Sequence, residues 1–107
     1  MFKKIRPRRI NAKEAKTLID QEGAQLVDVR TPQEYRQEYI PKAISLPLDK
    51  LPYRAEQTLP DKDATVILYC LSGARSGQAA KLLVQMGYRN VRNLGSVHRW
   101  PYGYARG

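Results

Sequence analysis

A chain of 107 residues is long enough for one domain with a modest core and too short for two. Nineteen basic residues against ten acidic ones set the net charge at +9, and a single cysteine excludes an internal disulfide. No apolar run approaches the ~20 residues of a membrane-spanning helix, and this cysteine usage fits a reducing compartment, so the expected location is cytoplasmic.

Five of the first nine positions are basic, Lys3, Lys4, Arg6, Arg8 and Arg9. Residues 1–9 therefore read as a solvated basic arm ahead of a single domain over residues 10–107. Pro7 and the arginines stand where a secretory signal needs an apolar stretch. The alternative for such an arm is a place beside an anionic membrane surface, attracted at ~1 kcal/mol per basic residue, with the chain as the soluble cytoplasmic part of an anchored protein. Without interleaved aromatics or a recognised binding module, no nucleic-acid partner is expected. Positive potential of this kind steers small anions.

Along the chain, Asn11 is placed to N-cap a helix over Ala12–Asp20, and Gln25–Val29 reads as a strand. Thr31-Pro32-Gln33-Glu34 is a capping box with proline at the first helical position, opening a helix over Pro32–Gln37. A short strand, Ala43–Leu46, leads into a surface excursion over Asp49–Asp63 that contains a helix at Leu51–Thr58. The β-branched and aromatic run Thr65–Tyr69 has the character of a strand buried on both faces. Beyond Cys70, Ala79, Leu82, Leu83 and Met86 share one helical face, predicting a helix over Ser76–Met86 that Gly87 stops. A strand at Asn90–Asn93 and a short helix at Val97–Trp100 complete the pattern. Strands and helices alternating in this way form an α/β fold around a parallel sheet.

The chemistry concentrates in Leu68-Tyr69-Cys70-Leu71-Ser72-Gly73-Ala74-Arg75-Ser76. The only cysteine sits at the end of a strand, and Leu71 to Ala74 leave room for nothing but a tight bowl before the helix. Backbone N–H groups of that bowl and the helix N-terminus can converge on the sulfur. A free cysteine titrates near ~8.5, and such surroundings, with Arg75 as a cationic neighbour, lower that value and favour the reactive thiolate. The competing reading is an inert core cysteine; Gly73 and Arg75 tip the balance toward a nucleophile.

Ligands of open parallel sheets bind beyond the carboxyl ends of the strands, where Arg30 and Cys70 both emerge. Asp28 and Arg30 also have a structural reading, in which Arg30 pairs with Glu34 four residues on. His98, the only histidine, reads as an exposed helix residue rather than a general base. Trp100, with Tyr102 and Tyr104, closes either the core or a lid over the site. One cysteine and one histidine make no metal site, and no glycine-rich phosphate loop is present, so neither metal nor cofactor is expected.

Four segments carry a family resemblance. The six-residue span Cys70 to Arg75 opens on cysteine and closes on arginine. Upstream lie Leu26-Val27-Asp28-Val29-Arg30-Thr31-Pro32-Gln33-Glu34-Tyr35 and Tyr39-Ile40-Pro41-Lys42-Ala43-Ile44-Ser45-Leu46-Pro47; downstream lies Asn93-Leu94-Gly95-Ser96, followed by Trp100. In this order, over roughly Ile10 to Trp100, the chain resembles the single-domain rhodaneses, a sulfurtransferase family. It departs from the family's Gly-His-Ile-Pro-Gly-Ala string at Glu38, Tyr39 and Lys42.

The resemblance implies a rhodanese-like fold: a central, mostly parallel sheet of four to five strands with helices on both faces. It also implies that a small anionic donor such as thiosulfate gives its outer sulfur to Cys70, and that a thiol, a protein or cyanide then accepts it. Leu71, Ser72, Gly73, Ala74, Arg75 and Ser76, with Arg30 as a weaker candidate, would bind the donor; Asp28 and Glu34 would support them. Two rivals remain on this reading. A non-catalytic regulatory or sulfur-carrier module would use the same fold to hold a partner. Related phosphatases have one residue more between cysteine and arginine than the four found here, and so a larger bowl.

Overall fold

The structure, a computed structural model, describes residues 5–106, so the readings placed on Lys3 and Lys4 lie outside the described residues. In chain order the elements are β1 (Arg8–Arg9), α1 (Ala12–Glu22), β2 (Gln25–Asp28), α2 (Pro32–Gln37), β3 (Ile44–Ser45), α3 (Leu51–Thr58), β4 (Thr65–Cys70), α4 (Ala74–Gln85), β5 (Asn90–Ser96) and a 3₁₀ turn at Val97–Arg99. The five strands form one sheet in the order β1-β5-β4-β2-β3, every pair parallel.

The central strand β4 shows how the sequence builds two cores from one sheet. Val66, Leu68 and Cys70 belong to a buried cluster with Leu51, Ala55, Ala79 and Leu83 of α3 and α4. The alternate residues Ile67 and Tyr69 belong to the opposite cluster, with Ala15 and Ile19 of α1, Val97 and Trp100. A strand with both faces covered is continuously apolar, which is why Thr65–Tyr69 is legible as sequence. Among the described residues no helix is long and apolar enough to cross a membrane.

Local chemistry sets the boundaries. Asn11 and Thr31 each accept from the backbone N–H of a glutamate three residues on, Glu14 and Glu34, whose carboxylates reach back: two complete capping boxes. Helix α1 runs on to Glu22, beyond the expected Asp20, because the chain can leave the helix only where Gly23 takes the left-handed conformation, φ 69°. Helix α4 starts at Ala74, ahead of the expected Ser76, because Gly73 turns the backbone at φ 100°. The expected strand Ala43–Leu46 narrows to Ile44–Ser45, and the expected helix Val97–Trp100 is a single 3₁₀ turn over Val97–Arg99 capped by the Ser96 hydroxyl.

Two differences matter for the site. Strand β5 continues past Asn93 to Ser96 through a bulge: Leu68 faces Asn93 but Tyr69 faces Gly95, leaving Leu94 as the extra residue. Arg8 and Arg9, expected in a solvated arm, form the edge strand β1 against Arg92 and Asn93. Their side chains are exposed while their backbone is held in the sheet.

Candidate active site

Cys70 is the last residue of β4 and is wholly buried. Its Sγ accepts a hydrogen bond from the Gly73 backbone N–H at 2.9 Å and lies 3.5 Å from the Ser76 hydroxyl. Burial pushes the thiol up, yet the Ser76 hydroxyl and the backbone N–H groups of Ser76, Gly73 and Ser72 together outweigh it and bring the thiol below its ordinary value. The left-handed turn at Gly73 brings these donors round the sulfur. A Cβ there would stand 3.7 Å from Gly95 Cα, so the loop also passes close to the β5 bulge.

Of the loop residues expected to donate, Gly73 gives its N–H to the sulfur, and the N–H groups of Ser72 and Ser76 help to lower the thiol. The Ala74 N–H is aimed at Ser72 Oγ, 3.5 Å away. Leu71 contributes its carbonyl, which accepts from Ser96 Oγ at 2.7 Å and ties the loop to the end of β5. The Ser76 hydroxyl also donates to the Gly73 carbonyl at 3.1 Å, the same carbonyl that accepts from the Gly77 N–H at 3.0 Å. None of these three serine hydroxyls is among the sequence expectations, which rest on backbone N–H groups. The signal for Ser76 lay in its spacing: six residues from the cysteine, on the first turn of a helix that starts behind a tight loop.

The arginines correct the expected pairings. Arg75 grips Glu34 with two hydrogen bonds, Nη1 to Oε1 at 2.7 Å and Nη2 to Oε2 at 3.1 Å. That grip, with help from Thr31 and against the opposing effect of burial, holds the Glu34 carboxyl down at about 2. Arg30 does not pair with Glu34. Its guanidinium is buried, meets Asp28 through Nε at 3.0 Å and Nη2 at 2.7 Å, and donates from Nη2 to the Glu38 carbonyl at 2.6 Å. Asp28, itself fully buried, also accepts from the Arg30 backbone N–H at 2.8 Å. Arg30 is thus engaged in holding the β2–α2 loop, whereas Arg75 is partly exposed beside the sulfur.

The departures from the family string find local explanations. Glu38 ends α2 in extended backbone, φ −168°, where glycine is not required. Tyr39 stacks on Tyr35 with ring centroids 4.3 Å apart and pairs in antiparallel fashion with Ala105. Lys42 does carry strain, at φ 74°, where the family's glycine would be relaxed. His98 is exposed on the 3₁₀ turn. Trp100 is buried in the core, and Tyr104 Oη donates to the Val97 carbonyl at 2.7 Å, so this end of the chain closes the core.

On the Arg75 side, a cavity of about 440 Å³ is bounded by Val29, Thr31, Pro32, Pro47, Leu48, Asp49 and Arg75. Larger hollows of about 480 and 490 Å³ lie against β1, and neither is lined by Cys70 or its loop.

A cysteine at the carboxyl end of a central parallel strand, in a bowl of N–H donors backed by a helix, defines a class of α/β proteins whose site concentrates negative charge on one sulfur. Residues 11–101 match the rhodanese-like domain family, and the chain belongs to that family. It is 44% identical over 71 residues to the thiosulfate sulfurtransferase PspE of Escherichia coli, covering 66% of this chain and 68% of that protein. A sulfurtransferase of Allochromatium vinosum is 46% identical over 84 residues, covering 78% and 77%. A solved E. coli rhodanese with anions superposes with a TM-score of 0.75 at 38% identity, over 78% of this chain and 99% of that one.

Proposed function

We propose that the protein is a sulfurtransferase that works through a persulfide on Cys70. The carrying observation is the buried Sγ with the Gly73 N–H at 2.9 Å and its thiol lowered by the Ser76 hydroxyl and the surrounding N–H groups. The Cys70 thiolate attacks the outer sulfur of thiosulfate. A Cys70 S–S bond forms, the sulfur–sulfur bond of the donor breaks, and sulfite leaves with the bonding pair. The terminal persulfide sulfur carries the negative charge, and the same N–H groups that favoured thiolate stabilise it.

Arg75 supports this assignment from the side. With one hydrogen on each terminal nitrogen given to Glu34, its Nε–H and remaining N–H groups are free to meet sulfonate oxygens. Arg30 then acts by fixing the loop. Because Cys70 has no exposed surface, donor access requires Leu71 to Gly73 to give way, and the cavity beside Arg75 is the approach we assign to the donor. In the second half-reaction an acceptor nucleophile attacks the terminal sulfur and the Cys70 thiolate returns. Cyanide leaves as thiocyanate and a thiolate as a persulfide. The sulfurtransferase names of the relatives support a thiosulfate-type donor and a thiol acceptor.

The test is intact mass after incubation with thiosulfate, then cyanide with thiocyanate detection. A gain of one sulfur, removed by cyanide and abolished in Cys70→Ser, is the expected result. An unchanged mass would favour the regulatory module, and turnover retained by Cys70→Ser, or hydrolysis of an aryl phosphate, would overturn persulfide transfer.

A further inference from the structure

Behind the loop, on the side away from Arg75, lies a second and smaller cavity of about 120 Å³. Its wall includes Arg9 at the end of β1, Arg99 on the 3₁₀ turn, Ser72 and Gly73 of the loop, and Asn93 and Gly95 of β5. No acidic side chain lines it, and among the described residues neither Arg9 nor Arg99 takes part in an ion pair. The fold brings these groups together through features with no part in the bowl itself. They are the pairing of β1 with β5, which delivers Arg9, and the bulge at Leu94, which turns Gly95 toward Gly73.

We propose that this cavity is an anchoring subsite for a carboxylate of the thiol acceptor, with Arg9 and Arg99 as the residues that select acidic thiols such as glutathione. The proposal rests on the persulfide reading. At about 120 Å³ the cavity exceeds several-fold the ~10–15 Å³ that one water needs on this measure, so it admits a carboxylate. The two guanidinium groups, without ion-pair partners among the described residues, offer forked N–H donors suited to that geometry.

The acceptor rather than the donor is assigned to it on reach. Neither Cys70 nor Arg75 lines the cavity, and the Ser72–Gly73 backbone stands between it and the sulfur. The sulfonate of thiosulfate is a single bond from the sulfur under attack and cannot be held there during transfer. A carboxylate several bonds from its thiol can be, while the thiol reaches across the loop to the persulfide. The anchor adds binding for one class of acceptor and nothing for a neutral thiol, so it sets specificity without touching the reacting atoms.

The experiment loads the protein with sulfur from thiosulfate and follows discharge of the persulfide by glutathione and, separately, by 2-mercaptoethanol. It compares the natural chain with Arg9→Ala, Arg99→Ala, the double variant and Arg99→Lys. In the double variant the KM for glutathione should rise about tenfold or more, the loss of a charge-assisted hydrogen bond, with kcat within about twofold. Discharge to 2-mercaptoethanol and loading by thiosulfate should be unchanged, and Arg99→Lys should recover part of the effect. An unchanged KM for glutathione, or an equal rise for both thiols, overturns the subsite; slowed loading would reassign it to the donor. If the natural chain never gains a sulfur, the persulfide reading fails, whereas normal loading with no discrimination sinks the subsite alone.

Discussion

Replacing Ser76 by alanine removes the side-chain hydroxyl that helps to lower the Cys70 thiol. The Ser76 hydroxyl lies 3.5 Å from Cys70 Sγ and now donates to the Gly73 carbonyl. When the thiol ionises, the hydroxyl can swing its proton to the sulfur at little cost, because the Gly73 carbonyl keeps the Gly77 N–H at 3.0 Å. A hydrogen bond to a charged group contributes about 1.5–3 kcal/mol, and a contact at the long end of the range belongs near the bottom of that span. About 1.4 kcal/mol corresponds to a tenfold change in equilibrium. Ser76→Ala should therefore raise the Cys70 titration midpoint and cut the thiolate population about tenfold at pH values below it. Ser76 is buried and alanine nearly fills its space, so thermal stability should fall by no more than about 1 kcal/mol. The assay is thiolate absorbance near the ultraviolet edge against pH, paired with the pH profile of persulfide loading. A midpoint unmoved in the variant would refute the role given to this hydroxyl.

Glu34→Gln removes the partner of Arg75 and leaves the Thr31 cap weakened. The pair is partly exposed, so after solvent screening the loss in denaturant unfolding should be about 1–2 kcal/mol at neutral pH. The Glu34 carboxyl titrates at about 2 in the fold, below its ordinary 4.5. Its contribution is thus complete above about 4.5 and disappears as pH falls toward about 2, so the stability gap between the two proteins should close over that interval. A gap that persists in full at the acid end would refute the ion-pair account. Asp28→Asn strips the buried Arg30 guanidinium of its counter-charge, and an unpaired buried charge costs about 3–5 kcal/mol. The melting temperature should drop by more than about 10 °C; a shift of a degree or two would show that Arg30 finds another partner or water.

Sequence legibility followed locality. The helices Pro32–Gln37 and Leu51–Thr58 lie where sequence places them, because a capping box or a proline at the first turn acts within a few residues. Cys70 at the end of β4 was legible from an apolar run whose length and composition suit only a buried strand. Strand β1 was not: two exposed arginines carry no apolar pattern, and only pairing with Arg92 and Asn93 makes them a strand. The bulge at Leu94 comes from register with β4, which no single strand encodes. The arginine partners differ from expectation because a four-residue separation alone points Arg30 at Glu34. Instead the backbone turns Arg30 inward to Asp28 and leaves Glu34 for Arg75, forty-one residues away.

That exchange of partners changes how the site holds its charge. Glu34 offsets the charge of Arg75, and Asp28 offsets that of Arg30, so Arg75 of the loop and Arg30 at the end of β2 both already have counter-ions. The stabilisation of thiolate and persulfide then falls to N–H dipoles and one hydroxyl, short-range groups fixed by the loop. The net charge of +9, in contrast, acts at long range on approaching anions. Salt separates the two, because a Debye length of about 10 Å at 0.1 M screens the distant field and leaves buried contacts nearly untouched. Between about 0.02 and 0.5 M sodium chloride, kcat/KM for thiosulfate should fall several-fold while the Cys70 titration midpoint stays in place. A midpoint that rises in step with the rate loss would mean that formal charges, rather than the bowl, sustain the anion, and the assignment of Arg75 as a neutralised residue would have to be given up.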